Sequence, residues 1–215
     1  MTESSFTPAL GRVGSARRYD MVISLTRERL WRGLAAAYVA PRPGELIVDV
    51  GCGTGSQALL LARIEPAARI VGIDPDPEVL AIARAKAPDA TVEWRQAMGD
   101  ALTEVVAPGS VDTVVSCLVL HQCPLALKRA ILAAGYAVLR PGGRLVVADF
   151  GVQPTRLNRA AFRLVQLADG KQNTQPNADG VIPELMDEAG FRDVRRPEAV
   201  STVNGSITIH TARRE

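Results

Sequence analysis

Between residues 44 and 150 the chain alternates five short apolar runs with stretches of helical period, and that rhythm restricts the fold more than any other feature. The runs are ELIVDVG, RIVGID, TVEWRQA, VDTVVSCLVL and RLVVADF; between them stand SQALLLARI, PEVLAIARAKA and PLALKRAILAAGYAVLR. Continuously apolar strands separated by helices imply a parallel sheet covered on both faces. The helical stretch from Pro124 is expected to stop at Pro141-Gly142-Gly143. Beyond it, residues 155–168 read as helix, DGKQNTQPNADG (169–180) as loop, and PELMDEAG as a helix stopped by Gly190. DVRRPEAVSTV and SITIHTARR flank Asn204-Gly205, a hairpin signal because both turn positions need positive φ. Pro197 removes a ladder donor, which puts its strand at an edge or splits it. The expected fold class is α/β, a parallel sheet that ends in an antiparallel pair.

Residues 15–40 also read as helical, with Tyr19, Val22, Ile23, Leu30, Leu34 and Ala37 near helical spacing before Pro41 and Pro43. Arg12, Arg17, Arg18, Arg27, Arg29 and Arg32 crowd this stretch. Such a row suits a solvated helix face, or else an anionic substrate or membrane surface. Over the whole chain 25 basic residues face 23 acidic ones, so nothing demands a nucleic acid as partner. No apolar run is long enough for a membrane span. MTESSFTPAL lacks the charged and apolar regions of a signal peptide. The three cysteines, Cys52, Cys117 and Cys123, are odd in number and lack CxxC spacing, which argues against disulfides and against a metal site. A cytoplasmic location is expected.

VDVGCGTG joins the first strand to the next helix. A Gly-rich strand-to-helix turn lets backbone approach a ligand at the carboxyl ends of a doubly wound sheet. Asp74 closes the following strand, where an acid accepts hydrogen bonds from both hydroxyls of a ribose. Two ligands compete for this place. A dinucleotide would bring a pyrophosphate, which Asp49 would repel; an S-adenosyl nucleoside with a methionine tail would bring an ammonium, which Asp49 would attract. The dinucleotide fingerprint also wants Gly or Ala where Ser56 stands.

VDVGCGTG, GIDPD, the GDA at Gly99 to Ala101, VDTVVSCLVLHQ and LRPGGRLVVADF together resemble the class I S-adenosylmethionine-dependent methyltransferases, strongly over residues 44–150. The resemblance implies a Rossmann-like, seven-stranded sheet whose last strand runs antiparallel, with helices on both faces. RYDMVISLTRERLWRG is similar to the helical lid of small-molecule members, so residues 1–40 are expected as lid and 41–215 as the cofactor-binding domain. By position, the resemblance implies that the backbone of Gly51 and Gly53, with Cys52 between them, cradles the methionine portion, and that Asp49 faces its ammonium. It places Asp74 on the ribose, Pro75 against the adenine, and Asp100 with the backbone of Gly99 and Ala101 at the adenine amino group. Cys117 is expected to reach the ammonium through its carbonyl, and Tyr19 to close over the cofactor.

The cofactor so implied is S-adenosyl-L-methionine, leaving as S-adenosyl-L-homocysteine. Its sulfonium carries the hard chemistry, and the protein's task is to align a nucleophile in a dry site. His121, just past the fourth strand, is the candidate general base. Asp149, at the end of the fifth, is expected to pack or cap, and His210 to lie at the surface. The expected activity is methyl transfer to an O, N or C nucleophile of a small molecule such as a quinone precursor, by a monomer or homodimer. Alternatives are methylation of a lipid headgroup at a membrane surface, and a nucleoside- or dinucleotide-binding domain without this chemistry. Arsenite methylation would need several free thiols beyond Cys117 and Cys123, and nucleic-acid methylation would need an NPPY-type motif, which is absent.

Overall fold

The computed structural model describes residues 27–215; Tyr19 and the helical stretch expected before Arg27 lie outside the described residues. Helix α1 (Glu28–Val39) leads into β1 (Leu46–Val50), α2 (Ser56–Ile64), β2 (Arg69–Asp74), α3 (Pro77–Lys86), β3 (Val92–Gln96), β4 (Val111–Cys117), α4 (Leu125–Val138) and β5 (Leu139–Phe150). Then come α5 (Arg156–Asp169), α6 (Lys171–Ala178), α7 (Ile182–Glu188), β6 (Arg192–Thr202) and β7 (Gly205–Arg213). Local chemistry sets several starts. Pro77 opens α3 behind Asp76, whose side chain accepts the Glu78 N–H at 2.8 Å. Thr155 caps α5 by accepting the Asn158 N–H at 3.0 Å.

The seven strands form one sheet in the order β3-β2-β1-β4-β5-β7-β6. The β3-β2, β2-β1, β1-β4 and β4-β5 pairs are parallel, and β7 runs antiparallel to both its neighbours. Neighbouring strand residues point to opposite faces and both faces are dry. Ile47, Val115, Val146 and Ile209 pack with Trp31 and Leu61 on one side; Val48, Val114, Leu145 and Val147 pack with Leu132 and Phe191 on the other. This is the Rossmann-like sheet with an antiparallel final strand that the sequence implied. The chain winds outward from β1 in one direction and from β4 in the other, so a crevice opens at their carboxyl ends. Among the described residues no helix is long and apolar enough to cross a membrane.

Four local expectations need correction. Residues 171–178 form helix α6, not loop, despite Pro176. Tertiary contacts hold them: Lys128 Nζ donates to the Asn173 carbonyl at 2.9 Å, and Asn173 Nδ2 donates to the Gln122 carbonyl at 2.9 Å. Helix α4 ends at Val138, and Pro141-Gly142-Gly143 lies inside β5 as an irregularity of its pairing with β4. In the hairpin Thr202 pairs with Gly205, so Val203 and Asn204 are the turn and only Gly205 has positive φ. His210 is 3% exposed rather than at the surface, because β7 is covered on both faces. Pro197 falls within the register shift between Arg195 and Glu198 of edge strand β6, where its missing N–H leaves no ladder bond unmade.

Candidate active site

The glycine loop joins β1 to α2 with Gly51, Gly53 and Gly55 all at positive φ (68°, 51° and 80°). A Cβ on Gly51 would run into the Val119 side chain, whereas one on Gly53 would meet nothing within 4 Å. Gly51 is therefore fixed by packing as well as by backbone, while Gly53 faces open space at the cavity. Four of the loop's donors are already committed. The Gly51 and Cys52 N–H groups donate to the Ile73 carbonyl at 2.8 and 3.0 Å, Gly53 N–H to Asp74 Oδ2 at 2.9 Å, and Gly55 N–H to the Cys52 carbonyl at 2.9 Å. A phosphate seat needs free N–H groups, and these four are taken.

The cavity against the loop holds about 950 Å³ of empty space, counting its open mouth. Asp49 lines it, 1% exposed, and neither carboxylate oxygen has a hydrogen-bond partner. The Ala58 N–H at the start of α2 leans toward it without closing a bond. Burial pushes its pKa up to about 7; the Arg32 guanidinium, also in the lining, opposes that. Gln57, 1% exposed, lines the same wall with both amide atoms unpartnered. Unsatisfied buried polar atoms are costly, and four of them, from Asp49 and Gln57, belong to residues that line this one cavity. Arg32 arrives from α1, its Nε 2.6 Å from Glu28 Oε1 and its guanidinium carbon 4.4 Å above the Trp31 ring.

Asp74 sits on the rim, its Oδ1 accepting the Asp76 N–H at 3.0 Å while Oδ2 braces Gly53. Burial raises its pKa. Each oxygen keeps a lone pair for a further donor. Pro75, Met98, Gly99, Leu127 and Ile131 also line the cavity and are apolar. Asp100 is exposed, and neither it nor Ala101, whose N–H donates to the Met98 carbonyl, is in the lining. All three cysteines are in the lining; burial holds the Cys52 and Cys117 thiols well above their ordinary value and Cys123 at about 11, so they stay protonated.

His121 lies outside the cavity lining, 2% exposed in the short helical turn Leu120–Gln122. Its Nδ1 is 2.7 Å from Asp149 Oδ1, and its Nε2 is 3.4 Å from Asp169 Oδ2. Burial opposes the imidazolium, but the Asp149 carboxylate outweighs it and Asp169 adds to it, so the pKa rises to about 9. Asp149 is held low by His121 and Lys128 against the effect of burial. Its Oδ2 also accepts the N–H groups of Val119 at 3.1 Å and Leu120 at 2.7 Å, and Phe150 N–H donates to Oδ1 at 2.7 Å. One carboxylate thus gathers the turn that follows Leu118, whose φ of 57° is unusual for a leucine. Both imidazole nitrogens are engaged, an arrangement that suits positioning better than proton abstraction.

The residues present fit an S-adenosyl nucleoside. A partnerless buried carboxylate matches an ammonium, a nearby guanidinium matches a carboxylate, and a braced rim acid matches ribose hydroxyls. Sequence reasoning had not singled out Gln57, nor given Arg32 a place in the cavity. Arg32 had one signal, its place among the N-terminal arginines; Gln57 had none.

Residues 47–143 match the family described as a methyltransferase domain. The chain is 36% identical over 221 positions to demethylmenaquinone methyltransferase of Beutenbergia cavernae, covering 93% of this chain and 87% of that one. It is 36% identical over 153 positions to the enzyme of the same name from Thermus thermophilus, covering 70% and 67%. Among solved structures it resembles magnesium protoporphyrin IX methyltransferase of Synechocystis with bound SAH. There the TM-score is 0.68 at 21% identity, covering 96% of this chain and 91% of that one, a likeness of fold.

Proposed function

This chain belongs to the class I S-adenosylmethionine-dependent methyltransferases, and we propose that it methylates a ring carbon of a small quinol-type acceptor. The acceptor reading draws on the two relatives named for demethylmenaquinone, which the chain matches at 36% identity. The observation that carries the cofactor site is Asp49: a buried, partnerless carboxylate beside a loop in which the N–H groups of Gly51, Cys52, Gly53 and Gly55 are spent. Such a site favours a cation and disfavours a phosphate bridge.

The bound cofactor supplies an electrophilic methyl on a sulfonium. In our reading Asp49 takes the ammonium of its amino-acid tail, with the Cys117 carbonyl beside it, and Arg32 takes the carboxylate. Gly53 leaves room for that tail; Gly51 and Cys52 set the loop's path. Asp74 accepts the ribose hydroxyls. Pro75, Met98, Gly99, Leu127 and Ile131 flank the adenine, with Asp100 and Ala101 just outside. Residues 1–40, with Tyr19, are read as the lid segment; its described part, α1, packs on the sheet through Trp31, Ala35 and Val39 and delivers Arg32 to the cavity. His121 is a positioning residue: its imidazolium ties the 118–122 turn to β5 through Asp149 and reaches α5 through Asp169. Alignment in a dry site supplies most of the rate, on the order of 7–11 kcal/mol.

The test offers purified protein methyl-labelled S-adenosylmethionine with a soluble naphthohydroquinone lacking the ring methyl. Label on the ring carbon is expected. Tight S-adenosylhomocysteine binding without such label, or label on phosphoethanolamine or arsenite instead, would refute the acceptor and leave the cofactor site standing.

A further inference from the structure

Helix α5 carries two separate apolar faces. Phe162 and Val165, with Asn158, are buried against the sheet, the hairpin residue Gly205 approaching Phe162. Leu157, Leu164 and Leu167 point away and are 79%, 63% and 82% exposed. At about 100° per residue, these three leucines and Ala160, Ala161 and Ala168 fall within one arc of roughly 120°. Arg156, Arg159 and Arg163, all exposed, occupy the adjoining arc of roughly 60°. The helix contains no acidic residue before Asp169. A leucine stripe edged by a row of arginines is the pattern of a helix that lies in the interface of a lipid bilayer. A protein partner's groove would satisfy the leucines equally, but the unbroken cationic edge is complementary to anionic headgroups.

We propose that α5 docks this enzyme on an anionic membrane surface, its leucines in the acyl boundary and its arginines at the headgroups. The helix ends beside the turn that borders the cavity: its last residue, Asp169, lies 3.4 Å from His121 Nε2, and Leu118, Val119 and Gln122 of that turn are in the lining. Docking through α5 would bring the lipid to the side of the molecule on which that turn lies. The proposal rests on the helix and not on the acceptor's identity.

Co-sedimentation of the full chain with phosphatidylglycerol-containing vesicles tests it against phosphatidylcholine vesicles. Binding to the anionic vesicles is expected to be at least tenfold stronger, and to fall as salt rises. The triple substitution Leu157→Gln, Leu164→Gln, Leu167→Gln should lower that binding at least tenfold. Arg156→Gln with Arg163→Gln should lower the preference for anionic lipid at least several-fold; Arg159 stays, because its Nη1 donates to the Gln153 and Pro154 carbonyls at 3.0 and 3.3 Å. Both variants should keep the wild-type melting temperature and affinity for S-adenosylhomocysteine, which separates this proposal from the cofactor reading. Failure of the full chain to bind anionic vesicles overturns it. So does a dimer, seen by light scattering, that the leucine variant dissociates.

Discussion

Lowering the pH from about 8 to about 6 should weaken S-adenosylhomocysteine binding about tenfold, through Asp49. With a pKa of about 7, its carboxyl is roughly nine-tenths ionised at the higher pH and roughly one-tenth at the lower. Only the ionised form attracts the ammonium, so the change amounts to about 1.4 kcal/mol. Asp74, whose pKa burial also raises, acts in the same direction. Binding at about pH 6 should also release close to one proton, which calorimetry in buffers of different ionisation enthalpy would detect. Asp49→Asn should bind weakly at every pH and flatten the dependence. The same carboxyl affects stability. Its folded pKa lies above the ordinary 3.8, so the folded chain holds a proton that the unfolded chain loses between about pH 4 and about pH 7. Its contribution is present in acid and lost as pH rises through about 7, roughly 4 kcal/mol in all. Asp49→Asn should therefore raise the melting temperature of the ligand-free protein at about pH 8. Affinity independent of pH, or an Asn variant no more stable than the parent, would refute a buried, partnerless carboxylate.

Asp74→Ala should weaken S-adenosylhomocysteine at least tenfold by calorimetry, since it removes both the ribose acceptor and the Gly53 brace; unchanged affinity would remove the assignment. Asp149→Asn should cost about 3–5 kcal/mol, because it leaves a buried imidazolium and several N–H groups short of an acceptor. That corresponds to a fall in melting temperature on the order of 10 °C, and a shift under about 2 °C would contradict it. Gly51→Ala and Gly53→Ala should separate fold from function. The first meets Val119 and should destabilise by about 2–4 kcal/mol; the second should cost about 1 kcal/mol of backbone strain yet lose cofactor affinity. Equal melting temperatures for the two would show that Val119 does not decide.

The centre of the sheet was legible because β1, β2, β4 and the second half of β5 are apolar on both faces. Where tertiary contact overrides local preference, the sequence misleads. Residues 171–178 are poor helix formers held by Lys128 and by Asn173 itself. Arg32 belongs to a row that usually faces water, and only the course of α1 turns it into the cavity. His121 stood beside the fourth strand as expected, but Asp169, nearly fifty positions later, supplies its second partner, and no local pattern joins them. His210 was misplaced because polar residues of a closing strand read the same whether or not a helix covers them.

A loop whose hydrogen bonds close upon one another has an evolutionary corollary. Many Rossmann-like chains could trade one nucleotide for another by substituting a single contact. Here, neutralising or reversing Asp49 would remove the attraction for a cation without creating a berth for phosphate, since the backbone amides would still answer to Ile73, Asp74 and Cys52. Conversion to another coenzyme would demand that β2 let go of the turn first, so this chain is held to its cosubstrate by the wiring of the turn as well as by Asp49.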